Sequence, residues 1–118
     1  MQYRIVDHLY VVEETRLLIT DVQTALDLLM TARCQGGTGD IVISRACITD
    51  RFFRLSTGLA GAVCQKYIHY GGRLAVYGDF TGYAGRALHD FICECNRGKD
   101  FFFVDTERDA IDKLKRRG

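Results

Sequence analysis

Three short apolar runs, Ile41-Val42-Ile43, Leu74-Ala75-Val76-Tyr77 and Phe101-Phe102-Phe103-Val104, alternate with segments of helical periodicity. A continuous apolar run too short for a helix is what a strand covered on both faces requires. Between the runs the period changes to that of an amphipathic helix. Val22, Ala25, Leu26, Leu29 and Ala32 share one stripe; Leu59, Ala60, Val63, Cys64, Tyr67 and Ile68 share a second. Ala84, Ala87, Leu88, Phe91, Ile92 and Cys95 form a third, and Ala110, Ile111 and Leu114 a fourth. Strand-helix alternation of this kind predicts an α/β fold with a mainly parallel or mixed sheet and helices packed on it.

Punctuation supports these boundaries. Residues Tyr3 to Val12 read as strand around a turn at Asp7-His8. Thr20 or Asp21 caps the first helix, and Gly36-Gly37 ends it. Ser56 or Thr57 is expected to cap the second, which Gly71-Gly72 closes. The third stops near Asn96-Arg97-Gly98, and Thr106 with Asp109 begins the last. The expected core contains Leu26, Leu29, Val42, Val63, Val76, Phe91, Ile92 and Val104. No linker, repeat or low-complexity tract interrupts residues 1–118, which read as a single domain.

The balance of charge excludes some functions. A formal net charge of +1 supplies no basic stripe of the sort nucleic-acid binding needs, so no nucleic-acid partner is expected. Lys113, Lys115, Arg116 and Arg117 cluster where a final helical turn favours cations. No apolar run approaches the roughly 20 residues of a membrane span, and Tyr3-Arg4 opens a strand rather than a signal peptide. The five cysteines are odd in number and irregularly spaced, which suits reduced thiols and a cytoplasmic location. Cys93 and Cys95 lack a second ligand pair, so no metal site is expected. Cys64 and Cys95 lie on apolar stripes, while Cys93 shares a polar face with Arg86, His89, Asp90 and Arg97.

The segment Ser56-Thr57-Gly58-Leu59-Ala60-Gly61 belongs to a larger set of motifs. With Gly78-Asp79-Phe80, Asp90-Phe91-Ile92, Asn96-Arg97-Gly98 and Phe102-Phe103-Val104-Asp105-Thr106, it resembles a small bacterial family without assigned activity, domain of unknown function 4180. A second resemblance is to STAS domains, the fold of anti-sigma factor antagonists and sulfate-transporter tails. There a short strand leads through a polar loop to a helix opening Ser-Gly-Leu-Gly, and Thr57-Gly58-Leu59-Ala60 holds that place here. The resemblance implies a STAS-like fold and makes Thr57 the counterpart of the residue those antagonists phosphorylate. Two departures stand out. Leu55-Ser56 replaces the Asp-Ser before the motif, and the preceding loop, Asp50-Arg51-Phe52-Phe53-Arg54, is bulkier and more basic.

Other chemistry-bearing residues fall just after strand ends: Asp50, Asp79, Asp105, Ser56, Thr57 and Thr106. Ligands of open parallel sheets bind outside the carboxyl ends of strands, where these groups would line one crevice. The same residue types also serve caps and turns. Gly36-Gly37-Thr38-Gly39 precedes a strand, the wrong order for a phosphate loop. Gly78 to Arg86 is better placed but matches neither the Rossmann nor the Walker spacing. No acidic pair follows the first strand, which argues against receiver-type phosphate chemistry. No cofactor is implied.

The expectation is therefore a non-enzymatic STAS-like interaction or regulatory module that binds a protein partner. Its surface would comprise Ser56, Thr57, Asp79, Asp105 and Arg86, with Thr57 as the phospho-acceptor. Association into a homodimer is a further possibility alongside that partner. The alternative function is a small enzyme, or a small-molecule or nucleotide binder, using the strand-end crevice.

Overall fold

A computed structural model describes residues 1–83 and 85–116. Strands β1 (Tyr3–Val6) and β2 (Leu9–Val12) form an antiparallel hairpin. Asp7, at φ 56°, makes its tight turn, a conformation that aspartate tolerates better than most side chains. Then follow α1 (Val22–Gly36), β3 (Asp40–Ser44), α2 (Asp50–Phe53), α3 (Leu59–His69), β4 (Arg73–Tyr77), α4 (Arg86–Arg97), β5 (Phe101–Val104) and α5 (Glu107–Lys115). The sheet order is β1-β2-β3-β4-β5, with β2 to β5 parallel. The mixed α/β architecture expected from the alternation is present, and Ile41, Leu74 and Phe101 lie side by side.

The period of two within each strand divides the core. Tyr10, Ile41, Ile43, Leu74, Val76, Phe101 and Phe103 face one side, against α1, α3 and the aromatic pair Phe52 and Phe53 of α2. Leu9, Val11, Val42, Ala75 and Phe102 face the other, where Ala110 and Leu114 of α5 cover them. Asp21 caps α1 by accepting from Thr24 N, and Thr106 caps α5 by accepting from Asp109 N. The Tyr67 hydroxyl donates to Ala25 O at 2.7 Å, locking α3 against α1.

Four expected core residues are only partly buried. Leu26 is half-exposed, and Leu28 takes its inward place beside Leu29. The run Leu28-Leu29-Met30 fits more than one register, and packing selects the stripe through Ala25, Leu28, Leu29 and Ala32. Phe91, Ile92 and Val104 are half-buried because α4 and β5 lie at the edge of the sheet. Ala87 and Ile68 face solvent, and Ala84 lies outside the described residues. At that edge Asn96 substitutes for a neighbouring strand. Its amide donates to Phe103 O at 3.0 Å and accepts from Phe103 N at 2.8 Å.

Among the described residues, no helix is long and apolar enough to cross a membrane.

Candidate functional site

The carboxyl ends of β3, β4 and β5 open onto three adjoining clefts. β3 ends at Ser44, whose hydroxyl accepts from Ala46 N and starts a 3-10 turn at Arg45–Cys47. α2 follows, so Asp50 to Arg54 is a short helix and its flank rather than the loop expected. Phe52 and Phe53 draw it in, because both are buried against the sheet.

Neither Ser56 nor Thr57 caps α3. They sit in a 3-10 turn, Leu55–Thr57, and Gly58 at φ 78° occupies the cap position. That left-handed backbone favours glycine and turns the chain sharply into α3. Thr57 instead points back. Its hydroxyl donates toward Arg51 O at 2.8 Å and Arg54 O at 2.9 Å, and accepts a longer bond of 3.3 Å from Leu59 N. The side chain thus pins the end of α2 to the start of α3.

The middle cleft, about 580 Å3, is lined by Asp50, Phe53, Arg54, Leu55, Ser56, Gly82, Tyr83 and Leu88 among others. Asp79 and Asp105 line a second cleft of about 340 Å3 with His89, and Tyr83, Gly85 and Leu88 form the wall common to both. A third cleft, about 420 Å3, shares Asp50 and Arg54 with the middle one. The structure thus places Asp79 with Asp105, and Ser56 with Asp50, on neighbouring clefts. Thr57 lies behind the rim and lines none of the three. Arg86 projects outward at the start of α4, with its Nε 3.8 Å from Asp90. Asp79 is partly committed to a turn, accepting from the Thr81 amide and hydroxyl, which holds its carboxyl below the usual range.

No motif in the sequence singles out Arg45 or Tyr83, yet they organise this end of the sheet. Arg45 Nη1 donates to the Tyr83 hydroxyl at 2.9 Å, and that hydroxyl donates to Asp50 Oδ1 at 2.8 Å. Tyr83 stacks on Phe53 with ring centroids 4.8 Å apart. Its burial first, and the hydrogen bond to Asp50 second, push its pKa upward, so it remains a protonated bridge. Gly78 makes room for Arg45: a Cβ there would meet Arg45 Cβ at 2.9 Å. The available signal was positional, an arginine directly after a strand buried on both faces.

The thiols do not converge on the clefts. Burial pushes Cys64 up to about 12 and Cys95 up to about 11, which keeps both protonated. Cys93 Sγ lies 3.6 Å from His89 Nε2 on the outer face of α4. Among the described residues, no group of three or more His, Cys, Asp or Glu side chains is arranged to hold a metal ion.

Comparison with solved structures finds the same fold in a Thermotoga maritima protein provisionally named an anti-sigma factor antagonist. The TM-score is 0.51 at 17% identity, covering 98% of this chain and 94% of that one. The fold is therefore STAS-like. No curated protein matches the sequence. The family model for domain of unknown function 4180 matches residues 6–114, nearly the whole chain, and the chain belongs to that family.

Proposed function

We propose that the protein is a non-enzymatic STAS-like regulatory module that binds a protein partner across the strand-end clefts. The observation that carries this reading is the shared fold with a protein named for acting on a protein partner. The surface supports it. Arg54, Leu55 and Tyr83 line the middle cleft, and arginine and tyrosine are residue types that anchor protein interfaces. Ser56 lines that cleft, Asp79 and Asp105 line the one beside it, and Arg86 projects outward between them at the start of α4; together they would set selectivity.

Thr57 is the switch in this reading. A phosphate there would remove the hydroxyl proton that holds two backbone carbonyls and add about −2 charge beside them. The Arg51–Gly58 segment would then rearrange, and with it one wall of the cleft.

The test is affinity capture with native mass spectrometry, followed by measured affinities for wild type, Thr57→Asp and a Ser56→Asp/Arg86→Glu double variant. A partner that binds wild type and is lost from either variant, while the variant still folds and unfolds cooperatively, supports the reading. An identical partner list and affinity for all three would end it. A homodimer would show as doubled mass in the same spectra. A co-purifying small molecule displaced by the double variant would favour the enzyme or ligand-binding alternative.

A further inference from the structure

The third cleft has a different character from its neighbours. Arg45, Arg51 and Arg54 line it together with Thr49 and Asp50, so three arginines and one aspartate share its wall. Among the described residues, Arg4, Arg33 and Arg73 are engaged by acceptors elsewhere in the fold. Arg73, for instance, donates to the carbonyls of Lys99, Leu114 and Arg116. The arginines of this cleft are less committed. Arg51 spends one donor on Thr20 O at 3.0 Å, and Arg54 is exposed at the rim.

Arg45 is the central observation. Its stem lies against Gly78, its Nη1 is fixed on the Tyr83 hydroxyl, and its guanidinium carbon sits 5.7 Å from the Tyr83 ring centroid. Its Nε is buried and meets no acceptor among the described residues. Buried N–H donors are rarely left unmade in native structures, because the lost solvation is not recovered. That nitrogen faces Gly78, so the donor Arg45 offers an incoming acceptor is its other terminal nitrogen, Nη2, since Nη1 is already fixed on Tyr83.

We infer that this cleft binds the dianionic phosphate group of a phosphorylated ligand. Three arginines and one aspartate line the wall, with Asp21 near Arg51 and Asp79 near Arg45, and clustered guanidinium groups match the several oxygens of a phosphate monoester better than a single carboxylate. Arg45 supplies the fixed donor, and Arg51 and Arg54 close from the exposed side. Asp50 is held at the Tyr83 side of the cleft, where its Oδ1 accepts from the Tyr83 hydroxyl. The phosphate is carried either by a phosphorylated protein side chain or by a small phosphorylated metabolite; the recognition chemistry is the same. The site adjoins the partner surface through Asp50 and Arg54 but does not depend on it.

The experiment is a titration of the intact protein with inorganic phosphate at fixed ionic strength, followed by backbone amide shifts. Acetate and chloride serve as controls. Saturable shifts centred on residues 45–54 are expected with phosphate and not with acetate. Arg54→Gln should weaken binding about tenfold, the usual effect of losing one charge-assisted hydrogen bond, and Arg51→Gln/Arg54→Gln further. Both side chains are exposed, so the melting temperature should hold. Shifts that fail to saturate, that acetate reproduces, or that survive the double substitution would overturn the site. Tighter binding of O-phosphoserine than of glucose 6-phosphate assigns the ligand to phosphorylated protein; the reverse assigns it to a metabolite, and either supports the site. A protein partner captured by a chain with no phosphate affinity would retain the partner reading and discard this one.

Discussion

At the amino ends of β3 and β4, Asp40 and Arg73 meet under cover; at the carboxyl ends, Arg45 and Asp50 meet through Tyr83 beside open clefts. The residue types are the same. At the first end, Arg73 Nη1 is 3.5 Å from Asp40 Oδ2, and His8 Nε2 is 3.0 Å from the same oxygen, without hydrogen-bond alignment. The side chains of Asp40 and Arg73 are only 10% and 16% exposed, so solvent screens the pair little. Arg73 also donates to carbonyls before β5 and at the end of α5, groups a helix terminus leaves unpaired. That arginine closes the fold. At the other end, Arg45 is held equally firmly by Gly78 and Tyr83 yet keeps a buried donor unused. The contrast teaches that position in a parallel sheet, rather than residue type, separates a structural arginine from one available for binding.

The largest effect should come from removing the closed end. Arg73→Ala leaves Asp40 buried beside a histidine and frees the carbonyls of Lys99 and Leu114. Urea unfolding should show a loss of roughly 3 kcal/mol, the low side of the range for breaking a buried ion pair. A loss below about 1 kcal/mol would erase the distinction between the two ends.

Next is Gly78→Ala. The φ of 147° is costly for any residue with a Cβ, and the new methyl would press on the Arg45 stem. A destabilisation of about 2 kcal/mol is expected, accompanied by weaker phosphate binding as Arg45 shifts. Full stability and unaltered phosphate affinity would show that Arg45 is not held in place by this glycine.

Thr57 offers a finer test of the open end. Thr57→Val keeps the shape and deletes the donor to Arg51 O and Arg54 O, at an expected cost of about 1 kcal/mol. Thr57→Ser should restore most of it. If valine and serine behave alike in urea, the hydroxyl does not pin α2 to α3.

Much of the fold was legible because its signals are redundant. Ile41-Val42-Ile43 and Phe101-Phe102-Phe103 announce strands covered on both faces, and the glycine and Asn96-Arg97-Gly98 stops agree with the helical periods between them. Legibility fails where two patterns fit equally. Leu26 and Leu28 compete for one stripe, and only packing against β3 and α3 decides between them. Phe52-Phe53 looked like loop because a four-residue helix has no period to read. Ser56 and Thr57 looked like caps because hydroxyls at a helix start usually are; a glycine with positive φ took that role, and Thr57 turned back. The site was half legible. Asp79 and Asp105 do share a cleft, but Arg45 and Tyr83 are 38 residues apart, and no local motif joins them.

The smallest effect on stability should come from the exposed arginines, and that smallness makes the comparison decisive. Arg51 and Arg54 are exposed residues of the open end, where ion pairs and single hydrogen bonds contribute little to the folded state. Arg51→Gln/Arg54→Gln should therefore change unfolding free energy by no more than about 0.5 kcal/mol, the ordinary range for surface substitutions. Arg73→Ala, one arginine at the closed end, should cost several times more than these two together. A double variant that unfolds easily would mean that Arg51, through its bond to Thr20 O, also closes the fold. The open end would then be a second structural lock. A double variant that is stable and indifferent to phosphate has the profile of residues kept for binding, with stability left to Arg73 and the core.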